Sequence, residues 1–155
     1  MKKKEIKNNL LSITKYLVEN YKIIQPVKLQ KILYFLYLDY LKENNEKLFD
    51  EEFEAWVYGP VVTKVFYHIK HHGFNFEIEE DDTLFEICSL NNDKIKSFID
   101  EKINKYLNKS TFDLVEIAHN TKPWKNARKG LKDNEISNNN INFSDMKDFS
   151  KIWNI

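Results

Sequence analysis

The chain has 155 residues, 42% of them hydrophobic and 14% aromatic. That is enough apolar area to offset the entropy of ordering, so global disorder is excluded despite 31% charged residues. Formal net charge is zero, which argues against a dedicated nucleic-acid binder with a concentrated basic face, and the lone Cys88 excludes an intramolecular disulfide or a cysteine zinc cage.

One domain is expected at this length, able to bury roughly 70% of the surface of its unfolded chain. Met1 is followed by Lys2, Lys3 and Lys4, with no apolar stretch of signal-peptide or membrane-spanning length behind them. A cytoplasmic protein with no membrane partner is the expectation. Charge is uneven along the chain. Residues 1–50 carry ten Lys against six acids, residues 51–100 four against eleven, and residues 101–155 ten basic residues against seven acids.

In chain order, Ile6, Leu10, Ile13, Leu17 and Val18 recur at helical spacing and predict a helix ending near Asn20. Residues 21–25 connect it to a second helix, which Pro26 is suited to open because its missing amide donor costs nothing there. From Lys28 to Leu41 this helix is apolar on almost every side after Gln30, the pattern of a central helix covered by its neighbours. After a polar loop over 42–47, residues 53–58 alternate apolar and polar, as a short strand does, and Gly59-Pro60 breaks the pattern. A third helix is expected over Val61–His72, closed by Gly73. Residues 74–78 alternate again and are expected to pair with the first strand, followed by a solvated acidic run from Glu79 to Asp82. Helical spacing returns over Asp93–Leu107. Thr111 is expected to cap a helix to His119, Pro123 to interrupt, Asn138-Asn139-Asn140 to form a loop, and Ser144 to cap a last helix through Ile152 and Trp153.

Three clusters combine unusual residues at fixed spacing. In Lys28-Leu29-Gln30-Lys31-Ile32-Leu33-Tyr34, Lys28, Gln30 and Lys31 sit near a helix start, where cations oppose the macrodipole; solvation explains them, or binding does. In Ala55-Trp56-Val57-Tyr58-Gly59-Pro60-Val61, Gly59 permits a turn and Pro60 fixes φ. Trp56 and Tyr58 fall on one face of the extended segment, either as core anchors or as a partner contact. In the third, His119 and Pro123 precede Trp124, with Arg128 four residues further on, then Gly130. Arg128 is the single Arg of the chain, which suggests a fork of hydrogen bonds to a carboxylate, inside the domain or on a partner. His68, His71 and His72 have a metal-capable spacing, yet no Glu-x-x-His-like pattern accompanies them, and solvated surface histidines are expected. Cys88 is expected to be a small core residue.

These three clusters, in this order, resemble the Panacea domain, the family of SocA-like antitoxins and proteolytic adaptors that includes phage-associated proteins. The likeness runs from about Pro26 to Ile152 and departs at Leu36-Tyr37-Leu38, where relatives carry an Ala-Gln-like stretch. The resemblance implies a helical domain that binds and neutralises a toxin encoded beside it, with an adaptor variant that hands its toxin to a protease. The family-motif residues it singles out are Lys28, Gln30, Lys31, Tyr34, Trp56, Tyr58, Gly59, Pro60, Val61, His119, Pro123, Trp124 and Arg128.

The expected fold is mainly α (α+β): a compact single-domain helical fold around a central apolar helix, with a small β element near residues 53–58 and 74–78. No Gly-rich phosphate loop, nucleophile elbow, metal set or Cys/His pair of readable spacing is present in the sequence, so a non-enzyme without cofactor or metal is expected. The function expected is an antitoxin whose partner is a cognate toxin. The alternatives are a proteolytic adaptor and a nucleic-acid-binding regulator using the basic first and last thirds.

Overall fold

The computed structural model describes residues 9–71 and 89–155. Expectations for the helix start at Ile6, His72, Gly73, the strand over 74–78, the acidic run Glu79 to Asp82 and Cys88 lie outside the described residues. Among the described residues the chain forms eight helices and one two-stranded sheet. They are α1 (Asn9–Tyr21), α2 (Pro26–Asn44), β1 (Glu54–Trp56), β2 (Gly59–Val61), α3 (Thr63–His71), α4 (Asp93–Lys102), α5 (Asn104–Leu107), α6 (Thr111–His119), α7 (Lys122–Ala127) and α8 (Phe143–Ser150). The fold is mainly α with a small β element, as expected, and none of these helices is long and apolar enough to cross a membrane.

Helix α2 is the centre. Pro26 stands in its first turn, and Asn45 closes it in the left-handed conformation, with its N–H donating to Leu41 O. Every residue from Leu29 to Leu41 is buried, including Gln30, Lys31 and Asp39. A helix buried on all sides needs partners all round, and the remaining helices and the hairpin supply them.

The strand expected over 53–58 is shorter, and among the described residues it pairs with the segment that directly follows it. Residues 54–56 turn back through Val57-Tyr58 and pair antiparallel with Gly59–Val61, in the register Glu54↔Val61, Ala55↔Pro60, Trp56↔Gly59. Gly59, at φ 116°, makes the tight return possible. Pro60 costs no ladder bond, because Ala55 opposite it turns both backbone groups away from β2, its N–H donating to Asn139 O and its carbonyl accepting from Arg128. On its outer side β1 meets the 139–141 loop, where the Ile141 N–H donates to Phe53 O. Since Val61 completes β2, α3 begins at Thr63 and not at Val61.

Other boundaries shift for identifiable reasons. Ser110 and Asn142 hold the cap positions expected of Thr111 and Ser144, accepting from the Asp113 and Asp145 N–H groups, while the Thr111 hydroxyl donates to Gln25 Oε1. Pro123 does not interrupt but opens α7 from its first turn. The span Asp93–Leu107 divides at Ile103 into α4 and α5. The last helix ends at Ser150; Ile152 is exposed, and Trp153 turns back into the core.

Trp153 stacks on Phe35 at 5.2 Å between ring centroids, and Tyr106 stacks on the same ring at 5.3 Å. One turn along α2, buried Asp39 accepts hydrogen bonds from Tyr106 OH at 2.5 Å and from Lys105 Nζ and Trp153 Nε1 at 3.0 Å each. Burial first, and then the Asp39 charge, keep the proton on the Tyr106 hydroxyl well above the usual tyrosine range. Asp39 thus fastens α5 and the 153 region to the central helix.

Replacing that carboxylate leaves donors facing an amide. Asp39→Asn is expected to lower the unfolding free energy in urea by about 3 kcal/mol, within the range for breaking buried charge-assisted bonds. A loss below about 1 kcal/mol contradicts this role.

Candidate functional site

A two-stranded ribbon leaves many backbone groups without ladder partners, and each one that is buried needs a donor or acceptor from elsewhere. Here side chains of α2 supply them on one side. The Gln30 side-chain amide accepts from the Val62 N–H at 2.9 Å and donates to Val62 O at 3.2 Å. Lys31 Nζ donates to Pro60 O at 3.0 Å. Lys31 is only 1% exposed, and its aliphatic stem runs so close under the turn that a Cβ on Gly59 would lie 2.6 Å from Lys31 Cε. Burial lowers its ammonium pKa to about 7.

The third cluster grips the same hairpin from the other side. At the end of α6, His119 Nε2 donates to Val57 O at 2.9 Å, a bond that places a proton on that nitrogen. Trp124 on α7 donates through Nε1 to Trp56 O at 2.9 Å, and its ring stacks on His119 at 4.4 Å. Arg128, just past α7, sends Nη1 to Ala55 O at 3.0 Å and Nη2 to Lys132 O and Glu135 O at 3.1 and 2.5 Å, with its guanidinium 5.2 Å from the Trp124 ring centre. Three successive carbonyls, of Ala55, Trp56 and Val57, are thereby taken by three side chains at spacing 119, 124 and 128. Tyr34 and Thr121 complete the brace: the Thr121 hydroxyl donates to Ala118 O, and Tyr34 OH lies 2.9 Å from it.

Held in this way, the hairpin forms one wall of an open groove of about 650 Å³. Its apolar lining includes Val27, Trp56, Tyr58, Phe66, Ile69 and Ile136, and Gln30 and Lys31 contribute polar groups. Trp56 packs edge-on against Phe66 at 4.8 Å, with its indole N–H donating to Glu54 Oε1. Tyr58 is 70% and Ile136 90% exposed, and Val27, on the same groove, 42%. Arg128 also matters here, because its contacts with 132 and 135 tether the loop that carries Ile136.

The structure brings twelve of the thirteen motif residues to the hairpin and its supports. Lys28 is the exception: half-buried, it directs Nζ to Leu107 O at 3.4 Å. Three expectations are corrected. Gln30 and Lys31 are not solvated, because α2 is covered on the side where the hairpin crosses it. Arg128 serves backbone carbonyls, not a carboxylate, since a bare ribbon offers acceptors that need a forked donor. His68 is half-buried instead of solvated. Trp56 and Tyr58 divide the two roles weighed for them: Trp56 is half-buried in the groove wall, while Tyr58 stands out at the turn. No group of three or more metal-capable side chains occurs among the described residues. Val27, Phe66, Ile69 and Ile136 carry no distinctive chemistry and do not stand out in the sequence as site residues. An isoleucine in the otherwise polar run 132–140 was the one available signal.

The family model of the antitoxin SocA-like, Panacea domain matches residues 29–125, more than half of the chain, and the chain belongs to that family. The match is narrower than Pro26 to Ile152: it takes in the first two clusters from Leu29 onward, together with His119 and Trp124, and stops short of Arg128. A search of curated proteins and one of solved structures return no match.

Two outcomes follow from the clasp. Gly59→Ala puts a side chain at a positive φ and against Lys31, and a loss of about 2 kcal/mol in chemical denaturation is expected; an unchanged midpoint contradicts the tight approach. Lys31 has a folded-state pKa, about 7, below its ordinary 10.5, so between those values the unfolded chain binds a proton that the folded chain does not. Stability is therefore expected to rise with pH from 7 to 9.5, by up to about 1.4 kcal/mol per unit. Subtracting the same curve for Lys31→Met isolates this slope, and identical slopes in the two proteins refute it.

Proposed function

We propose that this chain is the antitoxin of a toxin–antitoxin pair and that it neutralises a toxin encoded beside it by direct binding, as one cytoplasmic domain. The observation that carries the surface assignment is the groove, whose exposed apolar side chains stand on a backbone fixed from two sides. Contiguous exposed apolar surface on a folded chain marks an interaction site, and Trp and Tyr are the side chains that most often dominate interface energy. A wall braced at the Ala55, Trp56, Val57, Pro60 and Val62 carbonyls loses little conformational freedom when a partner arrives, which favours tight association. Membership of an antitoxin family supports a protein partner and a non-catalytic role.

The deciding experiment is co-expression. Expressing the neighbouring gene alone is expected to arrest growth, and adding this chain to restore it; arrest that persists with the chain present rejects the proposal. Within a working pair, Tyr58→Ala and Val27→Asp alter exposed groove side chains and are expected to weaken binding at least tenfold in calorimetry while shifting Tm by less than about 2 °C. Full rescue by both variants moves the contact surface elsewhere.

A further inference from the structure

Among the described residues that line the groove, Lys31 is the one charged side chain, and none is an acid. The walls around it are otherwise largely apolar. Its ammonium has three donors, yet Pro60 O is its single hydrogen-bond acceptor among the described residues. Holding a buried, under-satisfied amine is costly, and an apolar residue of similar length would fill the space beneath Gly59 without that cost. The amine therefore gives the groove a polarity that its packing does not require. A segment that is wholly apolar leaves the amine unmatched, and a basic one repels it. A segment that carries a carboxylate among apolar side chains matches both wall and floor.

Resting on the antitoxin reading above, we infer that the groove receives a segment of the toxin in which apolar side chains flank a carboxylate, and that this carboxylate pairs with the Lys31 amine at the groove floor. An extended segment of four or five residues suits a cavity of about 650 Å³. The pairing has a proton signature. In the free protein burial favours the neutral amine, whereas a carboxylate beside it favours the ammonium, so binding takes up a proton between about pH 7 and 10. Affinity then rises as pH falls from 9 to 7. Titratable groups on the elements around Lys31 include Glu54 and Tyr58 on the hairpin, Lys28 and Tyr34 on α2, Lys64, Tyr67, His68 and Lys70 on α3, Asp113, Glu116 and His119 on α6, and Lys132, Asp133 and Glu135 in the loop that carries Ile136. Lys31→Met retains all of them, and comparison with it isolates the one amine.

The test titrates the intact chain calorimetrically with the protein encoded beside it, at pH 8, in phosphate and in Tris, whose ionisation enthalpies differ. Uptake of on the order of one proton is expected for the natural sequence, and Lys31→Met is expected to abolish that uptake and weaken binding at least tenfold, about 1.4 kcal/mol. Binding without proton uptake, or with the same uptake in Lys31→Met, overturns this inference and leaves the antitoxin reading standing. Absence of any binding overturns both. If Lys31→Met does not fold, the side-chain titration of ¹⁵N-lysine-labelled natural protein decides: a Lys31 midpoint that moves up on complex formation supports the pairing, and an unmoved midpoint refutes it.

Discussion

The hairpin at 54–61 has only two strands, and a ribbon that narrow cannot satisfy its own backbone when it is packed against a protein. Everything distinctive about the chain answers that constraint. Gln30 and Lys31 approach from the central helix, His119 and Trp124 from α6 and α7, and Arg128 from just beyond them, each ending on a main-chain atom of the hairpin or the residue after it. Net contributions per bond are modest, about 1 kcal/mol, but leaving any one buried carbonyl bare costs more than the bond is worth. Side chains that answer a backbone are hard to replace, because position and donor geometry both matter.

This division of labour explains why the same short stretch of chain is both scaffold and surface. Backbone groups of residues 55–57 face inward to the brace, while the side chains of Trp56 and Tyr58 line the groove. A groove wall of this kind tolerates exchange of its outward side chains, because no hydrogen bond of the brace depends on them. Arg128 extends the principle by tying the loop with Ile136 to the same hairpin, so the two sides of the groove share one anchor.

Much of this was legible in the sequence. The all-round apolar character of 29–41 identified the central helix, and the segment 55–61 stood out through Gly59-Pro60 between aromatic residues. What periodicity could not supply was the partner of β1. A strand of three residues returning through a two-residue turn leaves too few alternations to register, and Pro60 reads as a breaker until Ala55 opposite it is seen directing its N–H to Asn139 and its carbonyl to Arg128. Burial of Lys31 was equally hidden. A lysine near a helix start reads as solvated unless the crossing hairpin is known, and that crossing depends on contacts some thirty residues away. The groove itself, built from ordinary apolar residues of α2, the hairpin, α3 and a loop, had no local signature at all.

Asp39 binds residues 66, 67 and 114 positions later in the chain. Contacts at such separations form only after long loops have closed, which places them among the slow steps of folding. Until Tyr106 and Trp153 dock, the most apolar helix of the molecule lacks part of its cover, and the chain in that interval is a substrate for proteases and for aggregation. Supply of the finished protein thus depends on how quickly its latest-arriving residues close over its centre, as well as on how stable the result is.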